Sequence, residues 1–95
     1  IQINLGNENQ KSGVVKSELD SLFLYCKEIG LNVIGLMCIP PVNLDPVPFF
    51  KELKDLNDNL NLSDLSMGMS SDYEEAIENF STYLRIGSEI FGKRD

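Results

Sequence analysis

Histidine is absent from this sequence, and basic residues are scarce. Eight lysines and arginines stand against fifteen aspartates and glutamates, for a net charge of −7. Without histidine there is no Ser-His-Asp triad, no Cys-His nucleophile pair and no histidine-containing zinc site. The acidic balance repels a phosphate backbone, which sets nucleic acid aside as a partner. Cysteine occurs only at Cys26 and Cys38. Both lie in apolar company, and two cysteines make no disulfide framework. They read as buried free thiols, with the reducing cytoplasm as the expected location. No apolar run approaches the ~20 residues of a membrane span. No basic segment leads into a long apolar one, so a signal peptide is not expected. The chain opens on Ile1 in what already reads as strand, which suggests truncation, processing or a choice of ends.

What is present is an alternation. Ile1–Leu5 reads as a strand, and the polar, glycine-containing stretch 6–13 as a loop. Val15, Leu19, Leu22, Cys26 and Ile29 recur at spacings of four and three, the stripe of an amphipathic helix, with Gly30 as its stop. Asn32–Ile39 is an almost unbroken apolar run, suited to a strand in a parallel sheet, and Pro40-Pro41 ends it. Asp45 and Pro46 suit an N-cap and first helical position, ahead of a stripe of Phe49, Leu53, Leu56 and Leu60. Leu62–Met69 is a third strand. Ser71 and Glu74 have capping-box spacing, with Asp72 between them, before a third stripe of Tyr73, Ile77 and Phe80. Thr82–Ile86 is the fourth strand, and Glu89–Gly92 has room for one helical turn. The order β-α-β-α-β-α-β-α in one domain, residues 1–95, predicts an α/β fold with parallel strands and right-handed crossovers. By itself it leaves open whether the sheet is doubly wound or part of a barrel.

In both architectures ligands bind at the carboxyl ends of the strands. Ser66-Met67-Gly68-Met69-Ser70 and Arg85-Ile86-Gly87-Ser88 stand at two such ends. Glycine lets a backbone come close to a ligand, serine adds a hydroxyl, and a following helix N-terminus offers bare N–H groups. Together they suit a phosphate, although a plain turn with an N-cap uses the same residues more often. Arg85, at the end of an apolar strand, needs an acceptor: either an Asp or Glu in a salt bridge, or a ligand's phosphate or aromatic nitrogen. Met37, Met67 and Met69 either line a pocket or fill the core. Glu74, Glu75 and Glu78 read as the solvated face of a helix, and Lys93-Arg94-Asp95 as an exposed tail.

Ile1-Gln2-Ile3-Asn4, Lys11-Ser12-Gly13, Gly35-Leu36-Met37-Cys38-Ile39-Pro40, Leu65-Ser66-Met67-Gly68-Met69-Ser70, Glu75-Ala76-Ile77, Arg85-Ile86-Gly87-Ser88 and Ile90-Phe91-Gly92 follow one another in a known order. In these landmarks the whole chain resembles the pyridoxal phosphate (PLP) homeostasis proteins. The resemblance implies a TIM (β/α)8 barrel like the N-terminal domain of alanine racemases, of which these residues would supply the C-terminal half, strands five to eight. It implies PLP as cofactor and no turnover reaction, with a role in buffering or delivering PLP and in vitamin B6 and amino-acid balance. Ser66, Gly87 and Ser88 would meet the PLP phosphate, and Arg85 the pyridine nitrogen. The family usually has threonine at position 88; serine keeps the hydroxyl. The Schiff-base lysine of the family would lie upstream of Ile1, since Lys11, Lys16, Lys27, Lys51, Lys54 and Lys93 do not match it. A half-barrel also needs closing. Either two copies form a pseudo-barrel, the first strand of each pairing with the fourth of the other, or the missing N-terminal half complements this one. The other functional readings are a racemase-like PLP enzyme fragment and a phosphate-binding or interaction module with an open α/β sheet.

Overall fold

A computed structural model describes residues 1–6 and 12–86. Five short strands, β1 (Ile3–Asn4), β2 (Val14–Val15), β3 (Gly35–Met37), β4 (Asp64–Met69) and β5 (Tyr83–Arg85), alternate with helices α1 (Leu19–Glu28), α2 (Val47–Asn59) and α3 (Tyr73–Glu78); a 3-10 turn, Lys16–Glu18, leads into α1. The four expected strands are therefore present, each shorter than expected, with β4 keeping its expected end at Met69. The helical turn expected at Glu89–Gly92 lies outside the described residues.

All pairings are parallel. β4 lies between β3 and β5. On the other side of β3, Gln2 bridges Met37, and the Met37 N–H donates to the Ile1 carbonyl at 2.9 Å. β1 in turn pairs with β2, Ile3 opposite Val14 and Asn4 opposite Val15. The spatial order is β2-β1-β3-β4-β5. β2 lies outside β1, so the connection through α1 skips β1 to reach β3, and from β3 onward each crossover steps one strand in that same direction. Right-handed crossovers that all step one way place their helices on one face. A single core agrees with this: Leu19 of α1, Phe50 and Leu53 of α2 and Ala76 of α3 pack with Ile3, Leu36, Cys38, Leu65 and Met67. A doubly wound sheet would reverse direction and cover both faces. This arrangement is the winding of a barrel segment.

Asn57, almost fully buried on α2, locks that helix to the sheet. Its Oδ1 accepts from the Leu36 N–H at 3.1 Å, and its Nδ2 donates to the carbonyls of Leu62 and Asp64. Gly35 is required where β3 meets β4, since a Cβ there would run into the Asp64 carbonyl. β4 carries a bulge. Ser66 pairs with Tyr83 and Met69 with Arg85, three steps on one strand against two on the other. Gly68 sits in the bulge at φ +103°, and a Cβ on it would lie 2.6 Å from that of Ala76. Glycine thus lets α3 close down on the bulge.

Five local expectations are corrected. Val15 belongs to β2 and is exposed, because the chain pairs with β1 before helix formation begins. Ile29 is half exposed, because α1 ends at Glu28. Ala76 is the buried residue of α3, whereas Ile77 and Phe80 face outward; a helix of six residues is too short to carry a stripe to its end. The Ser71–Glu74 capping box does not form, because Asp72 stands at the N-cap and its carboxylate accepts from the Met69 N–H at 2.7 Å, closing the β4–α3 turn instead. At the start of α2 the N-cap is Pro46 rather than Asp45, which stands one place earlier and accepts from the Val47 N–H at 3.1 Å.

Candidate functional site

Strand alternation sorts the sheet residues into two sets. Leu36, Cys38, Leu65, Met67 and Leu84 pack toward the helices. Gly35, Met37, Ser66, Tyr83 and Arg85 occupy the alternate positions, on the face that carries no helix among the described residues. Gly35, Met37, Ser66 and Tyr83 line a hollow of about 140 Å³ there, together with Ile1 and Asp64. At the carboxyl ends of β3 and β4, a second cleft of about 210 Å³ lies among Ile39, Pro40, Met69, Ser71, Asp72 and Glu75.

Arg85 is the centre of the helix-free face. Its Nη1 donates to the Ser66 hydroxyl at 2.6 Å, and its Nη2 reaches the Cys38 carbonyl at 3.4 Å. One arginine thereby ties together the carboxyl ends of three adjacent strands. Its Nε is buried and has no partner among the described residues. The ion pairs found among those residues are Lys16–Glu52 and Lys54–Asp58, so the salt bridge considered for Arg85 is not formed there. A buried donor on a cation without an acceptor is costly, and it marks a place where a ligand atom fits.

The neighbouring groups are quiet. Burial pushes the Cys38 thiol up to about 12; Arg85 pulls it down, while Asp72 and Glu52 push it up. It stays protonated at neutral pH and is no nucleophile. Lys16, Lys27, Lys51 and Lys54 all lie in helical segments rather than on strands. Among the described residues no group of histidine, cysteine, aspartate and glutamate could hold a metal ion, and no helix is long and apolar enough to cross a membrane.

The structure therefore brings together Ser66, Arg85 and the backbone of Cys38, with Met37 beside them. Met67 is fully buried and fills the core, while Met69 is exposed at the rim. Gly87 and Ser88 lie outside the described residues. Tyr83 and Gly35 were not singled out by sequence reasoning; the available signal was parity, since Tyr83 shares Arg85's face of β5 and Gly35 shares Met37's face of β3. The residues present fit a phosphorylated pyridine. Arg85 Nε has a hydrogen to donate and no acceptor among the described residues, and Ser66, having accepted from Arg85, still has its own proton to donate.

No family model matches the chain. Among curated proteins it is 43% identical to the pyridoxal phosphate homeostasis protein of Aquifex aeolicus, over 99% of this chain and 46% of that protein. It is 39% identical to the protein of that name from Escherichia coli (100% and 44%) and 38% identical to the one from mouse (100% and 40%). The chain thus spans less than half the length of these relatives. Among solved structures it resembles PipY of Synechococcus elongatus with PLP bound, at TM-score 0.85 and 26% identity, covering 97% of this chain and 47% of that one. PipY without PLP aligns at TM-score 0.78 and 29% identity.

Proposed function

As a relative of the pyridoxal phosphate homeostasis proteins, matched along its whole length and over less than half of theirs, the chain forms, we propose, the phosphate-and-ring-nitrogen part of a PLP site. In this reading it is the C-terminal half of a (β/α)8 barrel, strands five to eight, and serves PLP buffering or delivery without catalysing a reaction. The carrying observation is the bare, buried Nε of Arg85 on the helix-free face. That donor suits the lone pair of an unprotonated pyridine nitrogen, which weakens the ring as an electron sink and so favours storage over turnover. Ser66 donates its hydroxyl proton to the phosphate, joined by the Gly87 backbone and by Ser88. The Schiff-base lysine is assigned to the part of the relatives that this chain does not match. The placement of Lys16, Lys27, Lys51 and Lys54 in helical segments supports that assignment.

The helix-free face and the edge of β5 call for a cover. Two copies pairing β1 with β5 and complementation by the missing half both call on the outer edge of β1, which β2 holds here, so β2 has to give way in either closure. A cytoplasmic location fits two free, buried cysteines. The test is a PLP titration of this chain followed by absorbance and equilibrium dialysis. Weak binding that borohydride does not make covalent, and that Arg85→Ala weakens by about thirtyfold, supports the reading. Absence of binding by the folded chain, both alone and mixed with the missing half of a relative, overturns it.

A further inference from the structure

We propose that Ser66 is a positioning residue that acts through Arg85, fixing which edge of the guanidinium faces the ligand, in addition to any contact of its own with phosphate. This rests on the site assigned above but makes a claim about the ligand-free chain as well. A guanidinium is a rigid planar fork with five N–H donors, so two anchored nitrogens fix the direction of the third. Here the anchors come from two different strands, the Ser66 hydroxyl on β4 at 2.6 Å and the Cys38 carbonyl just past β3 at 3.4 Å. The shorter and better-made of the two is the serine. The nitrogen left over, Nε, is buried and unpaired among the described residues. Without Ser66, only one long hydrogen bond holds the plane, and the fork can swing to spend Nε elsewhere.

The choice of a serine matters chemically. A carboxylate at this position would hold the fork equally well but would cancel its charge. A neutral hydroxyl accepts from Arg85 and leaves the cation intact for an anionic, nitrogen-containing ring. It also keeps a proton to pass outward, so Ser66 links the two ends of one ligand: the ring nitrogen through Arg85, and an acid arm through its own O–H. The class of ligand selected is an aromatic nitrogen base with an acceptor lone pair, carrying an anionic substituent. Ligands whose ring nitrogen is protonated meet a donor with nothing to accept it.

The test compares wild type with Ser66→Ala, Ser66→Cys and Ser66→Thr by two readouts, after circular dichroism has confirmed folding. The first is the side-chain Nε–Hε NMR signal of Arg85 without ligand; Arg94 is the only other arginine. A sharp, protected signal in wild type and Ser66→Thr, broadened by exchange in Ser66→Ala and Ser66→Cys, is expected. The second is the dissociation constant for two probes, pyridoxal (the ring without phosphate) and inorganic phosphate. Loss of the hydroxyl should weaken pyridoxal about tenfold, with Ser66→Thr restoring it. An Arg85 signal unchanged in Ser66→Ala, with only phosphate affinity lost, overturns the proposal and leaves Ser66 a simple phosphate contact. If wild type binds neither probe while its Arg85 signal still depends on the hydroxyl, the PLP reading fails for this chain and the positioning role stands.

Discussion

The same strands present two faces that differ in almost every respect. Toward the helices stand Leu36, Cys38, Leu65, Met67 and Leu84, closely packed and with no charge. One residue away along each strand stand Met37, Ser66 and Arg85, partly exposed, hydrogen-bonded and incompletely satisfied. Because side chains alternate across a strand, those that hold the fold and those that bind interleave in sequence yet point opposite ways; Arg85 meets Cys38 through its backbone carbonyl. Substitutions on the helix face should therefore cost stability first, and those on the other face should cost binding first.

Five experiments would break or sharpen that contrast. Phe50→Ala empties the centre of the helix face and should cost about 4 kcal/mol in denaturant unfolding. A loss below 1 kcal/mol would show that the core does not depend on α2. The Cys38 thiol, pushed up to about 12, gives the helix face a pH signature. The folded chain holds this proton more tightly than the unfolded one, so its stabilising contribution is complete below about pH 9. It is lost as pH rises toward 12, on the order of 4 kcal/mol at the top of that window. The slope of stability against pH should flatten in Cys38→Ala; an equal slope would show that the thiol is not responsible. Asn57→Ala strands the Leu36 N–H and two carbonyls and should cost about 2 kcal/mol, read as a lowered melting temperature. On the opposite face, Arg85→Ala should weaken PLP binding by about thirtyfold, roughly 2 kcal/mol, with the melting temperature held or raised because an unpaired buried donor is removed. A marked drop in melting temperature would make Arg85 a structural residue. Phe80 lies on neither face, at the end of α3, with φ 72° and its ring outward. Phe80→Gly should stabilise the chain by about 1 kcal/mol and leave PLP affinity untouched.

The alternation of strands and helices was legible because the stripes of α1 and α2 and the apolar run through β3 are long enough to carry a period. What escaped was short or depended on distant partners. β2 has two residues and no pattern of its own. Phe80 continues a helical spacing past Glu78, where α3 stops, and Ile77, inside that short helix, faces outward. Asn57 stood in no apolar pattern, and its three hydrogen-bond partners, Leu36, Leu62 and Asp64, lie outside its own helix. Ser66 and Arg85 could be picked out by their places at strand ends, and the family resemblance added to that. Their hydrogen bond could not be foreseen, because it depends on a register displaced by the bulge at Gly68. Tyr83 could have been reached by counting two back from Arg85.

The one-way winding of the sheet also bears on how the chain is made. From β3 onward, each strand lies beside the one synthesised before it, and the connecting helix covers that junction. A nascent chain can therefore dock each β-α unit as it leaves the ribosome, without waiting for a distant segment or opening a pair already formed. Loop closures stay short throughout, which keeps the entropy cost of each step low. Growth of this kind leaves β5, paired with β4 alone among the described residues, as the edge to which a further strand could be added by the same step.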